Sequence, residues 1–465
     1  MRPIDEIVAS QNCVGCGACA FAAPQSLEMA ISASGDWRPQ ATRAPEASGE
    51  QSSRLAATVC PMASGPLETE IAAGLYPDLP EDVRIGRWKR NLAGWVDEGN
   101  FRAAGGSGGL VTWMLSELLR RGDVDAVIHV KPSDPAENGL LFEYGVSRDA
   151  SAVIGGAKSR YYPIQLSEVL REVARTDLRY AVVGVPCFIK SIRLLQRSGL
   201  LDPARTPFCI GLVCGHLKSR YFAEYLAWQK DVTPQALRAF DFRRKLMDRS
   251  ASDYGFAMTF ARDGAEIEQT WPMASVDGRD WGEGLFKNPA CEFCDDVMAE
   301  CADLAVGDAW LPAYVADPKG TNVATVRHPH LDMILREGEA RRALTMFELT
   351  PDDIAQSQAA GLRHRREGLA HRLARREATG GWVPAKRVAP ALAGDRTRRR
   401  IYDLRLEIAQ TSSALFAAAR EVGDLSRFER AIAPVLKRYR ATRAPLLQRV
   451  LRRIAGKVRR LRARP

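Results

Sequence analysis

The chain has 465 residues, 46% of them apolar and 26% charged, an ordinary soluble composition with room for two or three domains around a large core. The opening MRPIDEIVAS has no apolar stretch and no segment approaches 18 uncharged apolar residues, which argues against a secretory signal or a spanning helix; a cytoplasmic protein is expected, whose ten cysteines suit metal ligation better than disulfides. The net charge of +10 is uneven: His371 to Pro465 holds 25 Lys and Arg against seven Asp and Glu, so the basic character belongs to a C-terminal appendage and the first 370 residues sum to −8.

The first motif is Cys13 to Pro24, CVGCGACAFAAP. It follows the ferredoxin run C-x2-C-x2-C-x3-C-P except that Ala23 stands at the fourth cysteine. In two-cluster ferredoxins that fourth cysteine serves the other cluster, so its loss spares the first one. The first cluster also needs a distant Cys-Pro, and Cys60-Pro61 is the next in the chain. A second run aligned on Cys60-Pro61 puts Glu50, Ser53 and Ala56 at its cysteine positions. These three and Ala23 form the complete ligand set of the second cluster, whereas Cys13, Cys16, Cys19 and Cys60 are the complete set of the first. The reading is a two-cluster ferredoxin module reduced to one [4Fe-4S] cluster. A zinc knuckle or unliganded thiols is the competing reading, although structural zinc sites usually pair two C-x2-4-C knuckles. Ser32 to Ser53 reads as a loop in place of the lost cluster.

A linker through Pro77 and Pro80 leads to the main domain. Gly105 to Gly109 is a glycine-rich turn, followed by a helix with Leu110, Met114, Leu115 and Leu118 on one face and an apolar strand at Ala126–Val130. Helix and buried strand recur twice more and a further helix follows up to about Trp228, which predicts an α/β core with parallel pairing. From Phe240 the pattern alternates and turns at Asp263-Gly264, an antiparallel hairpin, so α+β fits as well. Past Thr350 the chain is helical. The implied division is 1–80, 81–345 and 346–465.

Cys291 and Cys294 form a C-x2-C pair, while Cys187 and Cys214 follow predicted strands, where ligands collect in α/β sheets. A second site from Cys187, Cys214, Cys291 and Cys294 is geometrically open, as is burial of the first two in the core. Cys209 reads as core and Cys301 is undecided. The glycine-rich turn before a helix suits phosphate, but many such turns bind nothing. The cation-aromatic segments Gly155–Pro163 and Phe242–Lys245 read as solvated basic loops.

Taken in order, CVGCGACA, SGGLVTWMLSELLRRGDVDAVI, KSRYYP, GVPCFIKSIRLL, GLVCGH, DFRRK, CEFCDDVMAECADLAVGDAW and KGTNVATVR resemble the beta subunits of coenzyme F420-reducing hydrogenase and formate dehydrogenase, a family that includes hydroxymethyl-chlorophyll reductase. The resemblance runs from Cys13 to about Arg327. It implies a flavoprotein with FAD and one or more [4Fe-4S] clusters. By residue, it places Ser107, Gly108, Gly109 and Thr112, then Ser159, Arg160 and Tyr161, and finally Gly307, Asp308, Lys319 and Asn322 near the flavin. It also makes Cys187, Cys214, Cys291 and Cys294 a second cluster site.

The expected protein is therefore an N-terminal one-cluster ferredoxin-like module, a mixed-sheet flavin-binding core and a helical C-terminal extension. It would pass electrons between [4Fe-4S] clusters and FAD, to or from an organic substrate or deazaflavin-type cofactor. The rival is an electron-transfer subunit without a substrate of its own. No catalytic residue is identified; His216 reads as a hydrogen-bonded neighbour of Cys214. A redox partner protein or ferredoxin-type donor is expected, and no nucleic acid. Leu447, Val450, Leu451, Ile454, Val458 and Leu461 recur at helical spacing among arginines, which suits an anionic membrane surface or packing on the protein's own body.

Overall fold

The computed structural model describes residues 2–42, 49–63 and 65–444. The cysteine run ends in a short helix, α1 (Ala18–Ala22), which holds Cys19 and leads to an antiparallel hairpin of β1 (Leu27–Ile31) and β2 (Trp37–Ala41). Helix α2 (Gly49–Thr58) follows and delivers Cys60. The stretch read as a replacement loop is thus partly strand and partly helix. Glu50, Ser53 and Ala56 lie on α2, where Ala56 and Ala57 are buried in the core. The helix suits the Ala, Glu, Gln, Arg and Leu of this segment, all good helix formers.

The main sheet has eight strands: β3 (Arg90–Val96), β4 (Ala126–Pro132), β5 (Phe142–Ser147), β6 (Tyr180–Gly184), β7 (Phe208–Leu212) and, later in the chain, three more. Between β7 and those, β8 (Leu237–Arg244), β9 (Gly255–Arg262) and β10 (Ala265–Pro272) make a separate antiparallel sheet, with β9 and β10 turning at Asp263-Gly264. The last three strands of the main sheet are β11 (Leu304–Asp308), β12 (Asn322–Val326) and β13 (Leu344–Glu348). Its order is β13-β3-β12-β11-β7-β6-β4-β5. The central four, β11, β7, β6 and β4, are parallel, and every pairing outside them is antiparallel. Of the two readings, the parallel α/β core and the α+β mixture, each describes part of one mixed fold.

Strand alternation sorts the buried residues onto two faces. Val127, Ala181, Val183, Ile210 and Leu304 face α3 (Leu110–Arg120) and the Pro329–Ala340 helix. Ile128, Tyr180, Val182, Cys209 and Ala305 face α4 (Pro186–Arg197), whose Phe188, Ile189, Ile192 and Leu195 are buried, each contributing about 2 kcal/mol. The same second core takes in α1, α2 and the C-terminal helices.

Those helices are α5 (Ala359–Arg365), α6 (Glu367–Ala378), α7 (Arg396–Val422) and α8 (Leu425–Arg443). Helices α7 and α8 pair across Gly423-Asp424, and their Leu404, Ile408, Phe416, Phe428 and Ile432 pack with Tyr225 and Phe286. The basic extension is therefore no appendage: Arg365 and Arg372 are among the largest fully buried side chains. The stripe from Leu447 to Leu461 lies outside the described residues. Among the described residues no helix is long and apolar enough to cross a membrane.

The N-terminal part docks by close backbone approach at Gly17. The Leu166 amide donates to the Cys16 carbonyl at 2.8 Å, and Gly17 sits at φ +84° with the Ser167 nitrogen 3.0 Å from where a Cβ would stand. Gly17→Ala is expected to lose roughly 1–3 kcal/mol of stability, from left-handed strain and from pushing the two segments apart. Denaturant unfolding measures it, and wild-type stability would contradict the docking.

Candidate functional site

A cavity of about 260 Å³ opens at the C-terminal ends of the parallel strands. Its wall is built from the residues just past β6 (Gly184, Val185), β7 (Val213 to Lys218) and the end of β11 (Gly307, Asp308), together with the turn before α3. Strand ends leave such a space because the following segments diverge to opposite faces. The turn is fixed by side chains. Ser107 Oγ donates to the Thr321 carbonyl at 2.9 Å, and Asn322 accepts from the Leu110 amide at 3.1 Å while donating to the Gly307 carbonyl at 3.0 Å.

Ser107, Gly109, Thr112, Ser159, Arg160, Tyr161, Gly307, Asp308 and Asn322 all line this one cavity. Gly108 and Lys319 do not. Gly108 packs against the sheet, with Asn322 Oδ1 and the Gly94 carbonyl each 2.7 Å from where a Cβ would lie. Lys319 is exposed in the Asp317 turn leading to β12, its amide donating to Asp317 Oδ1.

The wall is cationic. Lys158, Arg160 and Lys218 all contribute to it. Burial pushes Arg160 down to about 10, and burial with the neighbouring Lys287 pushes Lys218 down to about 7. Arg160 lies over the Phe142 ring at 4.6 Å, and its Nε has no hydrogen-bond partner among the described residues. Arg243, at the back of the wall, pairs with Asp308 at 3.0 Å and is 5% exposed. The segments read as solvated loops are thus half-buried or buried except at Gly155, and their rings Tyr161 and Phe242 pack on each other. His216 stacks on Trp281 at 4.3 Å, and among the described residues its Nε2 has no hydrogen-bond partner. Burial, reinforced by Lys218, holds His216 neutral.

The thiols form two groups. Cys13, Cys16, Cys19 and Cys60 surround a small apolar cavity with Ile4, Ile7 and Met29. Burial raises all four; Cys16 reaches about 12, helped by Cys60 and Cys13, and Cys60 about 11, helped by Cys13. Cys187, in the first turn of α4, joins Cys214 after β7 and the Cys291–Cys294 turn. Burial again raises Cys187, whose neighbours in charge are Cys294, Cys214 and Cys291; Cys214 is pushed up to about 12 and Cys291 to about 11. All ten cysteines are free thiols. Cys209 and Cys301 are buried outside both groups, the latter with its thiol on the Glu68 carbonyl. Among the described residues no three His, Cys, Asp or Glu converge closely enough to hold a single metal ion.

The groups are neighbours. Cys187 lies within electrostatic reach of Cys16, and Ser191, one turn along α4, reaches the Cys16 thiol. Tyr144 feels both groups and donates to the Val183 carbonyl at 2.9 Å. On the other side Cys214 is itself part of the large cavity's wall.

Sequence reasoning missed the charges around the second group. Glu292, Asp295, Asp296 and Glu300 are all buried, and three of them take cations from the C-terminal extension: Arg372 on Glu292 at 3.1 Å, where Lys287 also pairs at 2.6 Å, Lys386 on Asp295 at 3.5 Å and Arg387 on Glu300 at 2.6 Å. Burial opposes the Glu292 charge, but Lys287, Arg372 and His364 hold its carboxyl well below the usual range. The available signal was the acidic run beside Cys291-x2-Cys294, which needs cations if buried.

Residues 91–171 and 177–352 match the family described as coenzyme F420 hydrogenase/dehydrogenase beta subunit, its N-terminal and C-terminal parts respectively, together over half of the chain. The coenzyme F420-dependent sulfite reductase of Methanocaldococcus jannaschii is 25% identical over 265 residues, 53% of this chain. The chain spans only 36% of that relative's length. A chain of the F420-reducing [NiFe] hydrogenase complex from Methanosarcina barkeri, solved with xenon derivatization, aligns at 17% identity with a TM-score of 0.49, covering 67% of this chain and all of that one.

His129, on the cavity wall, hydrogen-bonds Ser147 Oγ at 2.8 Å, and burial pushes it down to about 4. The unfolded chain therefore binds a proton at this residue that the folded one refuses between about pH 6.5 and 4, so stability falls as pH drops through that window. The wild type's stability relative to His129→Gln is expected to shrink by about 3 kcal/mol across it, since each pK unit is worth about 1.4 kcal/mol. A pH-independent difference would show that His129 is not held neutral.

Proposed function

We propose that this chain, which belongs to the coenzyme F420 hydrogenase/dehydrogenase beta subunit family, is an iron-sulfur flavoprotein oxidoreductase. In this reading residues 1–80 are a one-cluster ferredoxin-like module, 81–345 a core holding FAD and a second cluster, and 346–465 an extension closing that core. The observation that carries it is Cys214, which belongs both to a group of four thiols and to the wall of the large cavity.

The residues fit these groups. A single zinc ion draws its thiolates to within about 2.3 Å of one point, whereas a cluster of four irons takes them further apart. Thiols raised by burial ionise readily once a metal supplies the missing positive charge. For FAD, the cavity offers a glycine turn at a helix N-terminus, the cations Lys158 and Arg160, and an unpartnered Arg160 Nε. Bound there, FAD would supply a two-electron centre beside the one-electron clusters.

The chain's own part is placement. Helix α4 holds Cys187 and Ser191 on successive turns and so ties the two thiol groups to one rigid element. Cys13 and Cys60 are half-buried whereas Cys16 and Cys19 are buried, which presents the N-terminal group to a redox partner protein or ferredoxin-type donor. The opposite end of the path is the cationic cavity, suited to an anionic organic substrate or a deazaflavin such as coenzyme F420. That accessible cavity favours an enzyme over an electron-transfer subunit without a substrate.

Two measurements on anaerobically purified protein test this reading. Cys60→Ala should lose about half of the iron and one reduced-state EPR signal, with Ala23→Cys retaining both; full iron in Cys60→Ala would remove the N-terminal site. Gly106→Val should lower flavin content with iron unchanged. Gly106 is the appropriate position because a side chain there points toward Ser159 Oγ and Arg243 and not into the sheet. Undiminished flavin would move the binding site elsewhere.

A further inference from the structure

The second thiol group is closed by an arginine that lies beyond the matched family segments. Arg365 ends α5 and is 2% exposed. Its Nη1 donates to Cys294 Sγ and to the Asp296 carbonyl, both at 2.6 Å; its Nη2 donates to the carbonyls of Cys214 at 3.0 Å and Gly215 at 2.7 Å. One guanidinium thus grips both chain segments that carry thiols on this side of the group.

Its charge is deployed differently from those of its neighbours. Lys287 and Arg372 pair with Glu292, Lys386 with Asp295, and Arg387 with Asp295 and Glu300. Arg366 reaches Glu300. Arg365 forms no ion pair with a carboxylate among the described residues; the charges it faces most closely are those of Cys294, Cys214 and Cys291. A buried guanidinium stays protonated and is costly to desolvate, and negative charge on the sulfurs would offset that cost beyond what the dipoles of the three backbone carbonyls supply.

We propose that Arg365 sets the reduction potential of a cluster held by Cys187, Cys214, Cys291 and Cys294, raising it by offsetting the electron the cluster takes up. The inference rests on the cluster assignment proposed above. A one-electron reduction adds one negative charge inside a region of low dielectric, and a fixed cation hydrogen-bonded to a ligating sulfur stabilises the reduced form more than the oxidised one. The extension that supplies Arg365 is thereby a working part of the redox path, and its covering helices keep water from weakening the effect. Arg376, whose guanidinium lies 3.3 Å from the Phe293 ring centroid, closes the same turn from α6.

The test is a potentiometric titration of the full-length holoprotein, monitored by EPR, with iron quantified in each sample. Cys291→Ser identifies the wave of the second cluster by its disappearance, and the N-terminal wave serves as an internal reference. In R365Q that wave should shift to lower potential while the N-terminal wave stays in place; in R365K, which keeps the charge, the shift should be smaller. Loss of the second cluster's iron in R365Q with its retention in R365K also supports a requirement for the cation. An unchanged potential in iron-replete R365Q, or loss of iron from both variants, overturns the role assigned to Arg365. Unchanged iron and both waves in Cys291→Ser would instead overturn the cluster assignment itself.

Discussion

Eight thiols in two desolvated groups are the constraint around which this chain is organised. Burial drives a thiol away from its ionised form, so groups such as these ionise together only when positive charge is brought to them. The chain spends its special backbone positions on assembling them. Gly17 lets α1 approach the segment before β6, Pro186 starts α4 so that Cys187 stands in its first turn, and the Pro289–Phe293 turn carries Cys291. In the proposed holoprotein the compensating charge is iron, with Arg365 adding to it on one side.

The mixed sheet makes the arrangement possible. Four parallel strands send their C-terminal ends to one edge, where Val185 leads into α4, Cys214 follows β7 and Asp308 ends β11. A thiol site and a cavity can share Cys214 only because β7 lies between β6 and β11. Both faces of the sheet are covered, so the edge is the opening left for a ligand.

Much of this was legible in the sequence, and the exceptions have a common cause. The grouping of Cys13, Cys16, Cys19 and Cys60 follows from local spacing, and the helix-strand alternation follows from periodicity; both are short-range signals. The glycine turn and the Ser159–Tyr161 segment line one cavity. What could not be read depends on contacts between residues far apart in the chain. Arg365 and Cys294 are 71 positions apart, and nothing in a run such as Arg363-His364-Arg365-Arg366 separates a buried cation from a solvated one. Gly108 and Lys319 part from the rest of their motifs: Ser107, Gly109 and Asn322 line the cavity, while Gly108 faces the sheet and Lys319 the solvent. The helix at Gly49–Thr58 was missed because a polar Ala/Ser/Glu composition serves a surface helix as well as a loop.

The central claim is that the two thiol groups and the cavity hold three redox centres in one chain. Native mass spectrometry of the intact, anaerobically purified protein tests it most directly. The account expects the chain mass increased by two four-iron, four-sulfide clusters and one FAD. A mass increased by zinc ions alone, or a reconstituted protein that takes up neither iron-sulfide nor flavin, would contradict it.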